Sequence, residues 1–173
     1  MPASRLTLVT MAGLPGAGKT TIAYALGHEL GWQVIDKDMC REVLVKQGID
    51  DDRAGKVAYE LSFAHARTLL IRQQISAILD TAALHHFILD KVMEILCSTD
   101  EVLLKVILCV AERDLRNYRL RNRPYQPTSI RVDPATISDY LRYFEHLPEN
   151  KLTLFTNVPI LECIAKAKDY INQ

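Results

Sequence analysis

The segment Gly13-Leu14-Pro15-Gly16-Ala17-Gly18-Lys19-Thr20 has the spacing G-x-x-x-x-G-K-T. Glycines let the main chain approach a tetrahedral anion where a Cβ would collide, and successive backbone N–H groups then surround it. A lysine closing the loop adds charge for the β- and γ-phosphates, and the hydroxyl after it is suited to ligating Mg²⁺. Gly13, Pro15, Gly16, Ala17, Gly18, Lys19, Thr20 and Thr21 are therefore expected to hold the phosphates of a nucleoside triphosphate. A dinucleotide fingerprint fits worse, because Lys19, Thr20 and Thr21 stand where it requires a third small residue.

Further chemistry-bearing residues recur along the chain. Asp36, Asp38 and Arg41 follow a short apolar run and should share one edge with the phosphate loop. If Asp38 opens a helix, it and Arg41 lie on one face: a carboxylate to orient and deprotonate a hydroxyl, and a guanidinium to hold the acceptor. The alternative is a helix cap beside a solvated arginine. Asp80 ends another apolar run, where it could lie by the Mg²⁺ site or begin a turn. Arg116, Arg119 and Arg123 recur at i, i+3 and i+7 and form one basic stripe, able to face phosphates, to contact RNA or to be solvated. Asp50, Asp51 and Asp52 read as helix-capping carboxylates rather than metal ligands. His85 and His86 read as a surface pair or as acceptor contacts.

The elements that must position these residues follow from periodicity. Leu6 to Ala12 is a β-prone run, and helical spacing then continues to Leu30 before Gly31. Trp32 to Ile35, Ile75 to Leu79, Leu103 to Val110 and Leu152 to Thr156 read as four more strands. Helices are expected over 38–47, from the aspartate triplet to about Gln74, and over 87–96, 112–123, 135–146 and 160–171. Strands alternating with helices imply an α/β fold: a five-stranded parallel sheet with helices on both faces and ligands at the carboxyl ends of its strands.

The loop G-x-P-G-A-G-K-T-T, followed about twenty residues later by D-x-D-x-x-R, resembles the small P-loop kinases. These are the adenylylsulfate kinases, zeta-toxin-like kinases and polynucleotide 5′-hydroxyl kinases. The resemblance implies a P-loop NTPase fold, ATP and Mg²⁺ as cofactors, Asp38 as general base and Arg41 as an acceptor-binding residue. Asp38-Met39-Cys40-Arg41 looks most like the polynucleotide-kinase branch, although Asp80-Thr81-Ala82-Ala83 replaces that branch's D-x-T-N. Arg119-Leu120-Arg121-Asn122-Arg123 resembles the R-L-x-x-R lid of these kinases, with Arg119 and Arg123 clamping the transferred phosphoryl and a lid region over about 113–134. Related kinases place adenine near the end of the last strand, which points to Asn157.

Composition narrows the partners. The 173 residues carry 21 Lys plus Arg against 21 Asp plus Glu, so no global field attracts nucleic acid or an acidic membrane. Hydrophobic residues at 49% and charged residues at 24% suit a folded domain and exclude collagen, coiled coil and disorder. Cys40, Cys97, Cys109 and Cys163 are widely spaced, as expected of reduced thiols in a cytoplasmic protein. The apolar runs are too short to cross a bilayer. The expectation is one kinase domain over 1–173 that transfers the γ-phosphoryl of Mg·ATP to a hydroxyl of a small or nucleoside-like molecule. The alternatives are a polynucleotide 5′-hydroxyl acceptor, or a weakly hydrolytic ATP-binding regulatory module.

Overall fold

A computed structural model of the chain describes residues 5–83, 85–97, 102–122 and 136–173. The strands are β1 (Leu6–Ala12), β2 (Gln33–Asp36), β3 (Ala77–Asp80), β4 (Val102–Val110) and β5 (Leu152–Phe155). They form one parallel sheet in the order β2-β3-β1-β4-β5. Successive strand residues point to opposite faces, yet every residue from Thr7 to Ala12 is buried, so both faces of the central strand are covered. The order departs outward from β1 in both directions, which makes the carboxyl end of β1 the crevice where such sheets take ligands.

The helices are α1 (Lys19–Leu30), α2 (Lys37–Lys46), α3 (Asp51–Arg67), α4 (His86–Leu96), α5 (Arg113–Arg121), α6 (Ile137–Arg142) and α7 (Ile160–Ile171). α1 packs with α7, and α3 with α4. The long helical stretch expected to reach Gln74 runs as an α-helix only to Arg67. It finishes as a π-helical turn over Thr68–Arg72, and Gln74 leaves it with positive φ. That turn buries Leu69 and Leu70 in the core. Among the described residues, no helix is long and apolar enough to cross a membrane.

The second helix begins one residue before Asp38. Asp36 is its N-cap, with the carboxylate accepting from the Met39 N–H at 2.9 Å and from the Tyr24 hydroxyl at 3.3 Å. The capping role considered for Asp38 therefore belongs to Asp36, whose extended backbone ends β2 and leaves its side chain beside the exposed helix amides. Asp50 caps α3 in the same way, bonding the N–H groups of Asp52 and Arg53.

Candidate active site

The phosphate loop joins β1 to α1 and is fixed by backbone geometry. Gly13 has φ 137°, and a Cβ there would lie 2.5 Å from the Cys109 carbonyl oxygen. Gly16 has φ 79°, and its Cβ would meet the Arg116 carbonyl at 2.7 Å. Both positions combine a left-handed conformation with contact against a neighbouring main chain, so the loop is shaped by what packs behind it. The Tyr140 hydroxyl secures that back wall, accepting from the Leu14 N–H at 2.8 Å and donating to the Cys109 carbonyl at 2.7 Å.

In front of the loop, Gly18 precedes α1 in a left-handed conformation, and no side chain caps the helix. The first-turn N–H groups, which have no acceptor within the helix, thus point with the positive end of the macrodipole toward the crevice. The Lys19 ammonium folds back over the loop and donates to the Leu14 carbonyl at 3.2 Å. Pro15 and Ala17 complete the turn, with the Ala17 N–H closing it on the Leu14 carbonyl at 3.1 Å, and Thr21 follows in the first turn of α1.

Asp80 stands at the carboxyl end of β3, in register with Met11 of β1 and Asp36 of β2. It is only 5% exposed, and its Oδ1 has no hydrogen-bond partner among the described residues. Burial pushes its carboxyl up to about 6; Lys19 and a hydrogen bond from Thr20 oppose that rise, while Asp36 and Asp38 add to it. Lys19, Thr20 and Asp80 are therefore brought together from β1–α1 and β3, with a buried carboxylate oxygen left for another partner.

Asp38 lies in the first turn of α2, exposed and paired with Lys37 at 2.5 Å. Arg41 sits one turn further on and is held bidentately by Asp51, at 3.1 Å and 2.6 Å. Asp51, expected only to cap α3, thus ties α3 to α2 through Arg41. Lys37, a neighbour that the D-x-D spacing passes over, is buried, with its ammonium 4.9 Å from the centre of the Tyr59 ring.

The basic helix splits its stripe. Arg116 is 2% exposed, donating to the Ala111 carbonyl at 3.2 Å and lying over the Tyr140 ring. Arg119 donates to the Thr156 carbonyl at 2.6 Å, to its hydroxyl at 2.9 Å and to the Gly16 carbonyl at 3.3 Å. It therefore joins the loop to the end of β5. Arg123 and most of the expected lid lie outside the described residues. Beside Arg119, a cleft of about 360 Å³ is lined by Gly18, Thr21, Tyr118, Thr156, Val158 and Ile160 among others. Asn157 is exposed between two of those residues. Tyr140 and Lys37 carry no motif signal, whereas Thr156 lies in the segment already singled out.

The model of the AAA domain family matches residues 8–147. No curated protein matches the chain. A protein from Chloroflexus aurantiacus assigned as a kinase superimposes with a TM-score of 0.73 at 20% identity, over 96% of this chain and 99% of that one. A sugar kinase from Janibacter sp. gives 0.66 at 19% identity, over 97% and 95%. The APS kinase of Mycobacterium tuberculosis, solved with AMPPNP and APS, gives 0.64 at 17% identity, over 98% and 99%. The chain has the fold of these P-loop kinases and belongs to the AAA domain family.

Proposed function

We propose that the chain is a kinase that moves the γ-phosphoryl of ATP to the hydroxyl of a small molecule. The observation that carries this reading is the meeting of Lys19, Thr20 and a buried, incompletely bonded Asp80 at one sheet edge, with Asp38 near enough to act on Asp80. A site for nucleotide alone has no need of a second carboxylate on the acceptor side. The fold is shared with a sugar kinase and an APS kinase, and a sugar and APS are both small hydroxyl-bearing molecules.

In this reading the loop amides and Lys19 bind the triphosphate, and the cleft beside Arg119 takes the base. Thr20 and Asp80 suit a divalent cation: a hydroxyl and a hard carboxylate oxygen without a described partner. When bound there, Mg²⁺ neutralises charge on the phosphate oxygens. Asp38 orients the acceptor hydroxyl and takes its proton as the new P–O bond forms and the bond from the γ-phosphorus to the β–γ bridging oxygen breaks, leaving ADP. Lys37, ion-paired with that carboxylate, keeps it directed. Arg119, with Arg123 from the proposed lid over about 113–134, steadies the charge on the moving phosphoryl. Arg41, held in place by Asp51, contacts the remainder of the acceptor.

Incubation with Mg·ATP and a panel of small alcohols, read by a mass shift of 80 Da for each phosphoryl gained, tests the reading. A phosphorylated alcohol supports it. Phosphate release with every alcohol unchanged would replace the kinase with an ATP-hydrolysing module, and transfer only to 5′-hydroxyl oligonucleotides would replace the small acceptor.

A further inference from the structure

The Asp38 side chain is 55% exposed, and among the described residues a single ion pair, with Lys37, holds its carboxylate. A carboxylate so open to solvent exchanges between staggered rotamers unless its partner is fixed, and a lysine on a flexible stem fixes nothing by itself. Lys37, however, is buried, and a lysine is rarely buried unless something compensates its ammonium. Beyond Asp38, that compensation comes from Tyr59 of α3, whose ring centre lies 4.9 Å from the ammonium.

Tyr59 is itself clamped. Its ring stacks on Phe63 at 6.0 Å between centroids, with 21° between the planes, and meets Phe87 of α4 edge-on at 5.4 Å and 81°. Phe63 belongs to the buried core. Contacts therefore lead from the core through Phe63 and Tyr59 of α3 to Lys37 and Asp38 of α2, and these two helices pack on each other. Burial, followed by Asp38, pushes the Tyr59 hydroxyl up to about 12, with Arg41 opposing, so at neutral pH it is an uncharged phenol and no rival to Asp38 as a base. What Tyr59 offers the neighbouring charge is its π face.

Resting on the reading of Asp38 as the base, we infer that Tyr59 is a positioning residue for the reaction: its clamped ring holds the Lys37 ammonium, and Lys37 in turn holds the Asp38 carboxylate in one orientation. The base thus takes its orientation from the packing of α3 rather than from its own exposed turn.

The test uses the full chain and two readouts. In the ligand-free protein, NMR should show the Lys37 ε-methylene protons shifted upfield by the Tyr59 ring current, and the side-chain couplings of Asp38 should report one χ1 rotamer. Tyr59→Phe keeps a π face and should preserve both signatures, whereas Tyr59→Leu should lose both. Lys37→Met should release the Asp38 rotamer while leaving the ring packing intact, so the comparison survives a Tyr59→Leu chain that fails to fold. In turnover with Mg·ATP and the small alcohol that the wild type phosphorylates, Tyr59→Leu should lower kcat about tenfold and Lys37→Met at least as much, with the KM for ATP unchanged. Tyr59→Phe should restore the rate lost in Tyr59→Leu, and the double variant should be no slower than Lys37→Met alone. A mobile Asp38 in the wild type, additive losses in the double variant, or equal losses in Tyr59→Phe and Tyr59→Leu would overturn the inference. An ordered Asp38 that Tyr59→Leu and Lys37→Met both release, with no alcohol phosphorylated, keeps the positioning and removes the phosphotransferase; transfer at an unchanged rate in Tyr59→Leu does the reverse.

Discussion

The two sides of the crevice are held by different forces. On the donor side, main chain packs on main chain: the loop glycines lie against the carbonyls of Cys109 and Arg116, and the Tyr140 hydroxyl joins two backbone groups. On the side proposed to take the acceptor, side chains hold side chains, through Lys37 with Asp38, Arg41 with Asp51, and Tyr59 with Phe87. A backbone cradle suits a ligand part that is common to every turnover. Side-chain pairs can be exchanged without remaking the fold, so they suit the part that sets specificity.

The sharpest way to separate the two sides is Asp38→Asn. It should lower transfer by roughly 10²–10⁴-fold, the usual contribution of a general base, while ATP affinity is kept. Lys19→Ala should lose both. Retained turnover in the first variant, measured with a phosphorylated acceptor, would remove Asp38 from the mechanism.

The shared carboxylate, Asp80, gives the next largest effect. Its folded-state pKa of about 6 lies above the ordinary 3.8, so the folded protein binds more protons than the unfolded chain between those values. Stability linked to this group is thus fully present below about pH 4, declines as pH rises through 6 and is absent above it. Asp80→Asn should therefore stabilise the ligand-free protein at pH 7.5 by on the order of 3 kcal/mol, with the gain vanishing below pH 4. The same variant should lose the extra thermal stabilisation conferred by Mg·ATP. Melting curves across pH, with and without nucleotide, check both halves.

Gly16→Ala breaks the donor side alone. The left-handed backbone and the 2.7 Å approach to the Arg116 carbonyl should together cost about 2 kcal/mol or more and weaken nucleotide binding. Gly31→Ala is the control: its φ of 67° is strained as well, but nothing lies within 4 Å, so only about 1 kcal/mol should be lost and nucleotide affinity kept. Equal losses would mean that close packing behind the loop is unimportant.

The smallest effect is expected from Asp51→Ala. Its pair with Arg41 is partly solvated, at 48% and 18% side-chain exposure, so stability should fall by no more than about 1 kcal/mol. Loss of the bidentate grip should nevertheless raise the acceptor KM a few-fold and leave the ATP KM unchanged. A change in the ATP KM instead would join the two sides that the structure separates.

Legibility followed the same division. The strand and helix sequence was readable because apolar period and glycine punctuation are local, and β4 and α7 coincide with their expected runs almost to the residue. The phosphate loop was readable because its conformation demands particular residues at fixed spacing. The start of α2 was not: Asp36 and Asp38 are both good caps, and only the turn out of β2 decides between them. Nor did periodicity mark the π-helical turn, because its extra residue is accommodated by core packing of Leu69 and Leu70.

Local order therefore determined the alternating fold, the anion-binding turn and the carboxylates available to it. Only the tertiary structure decided which groups meet. Asp80 lies beside Thr20 because β3 pairs with β1, and Arg119 anchors on Thr156 because α5 returns over the loop to the end of β5. Arg41 faces Asp51 because α3 packs on α2. Such contacts join residues from 10 to 60 positions apart along the chain, and their energies depend on burial and distance, neither of which is encoded in the spacing of residue types.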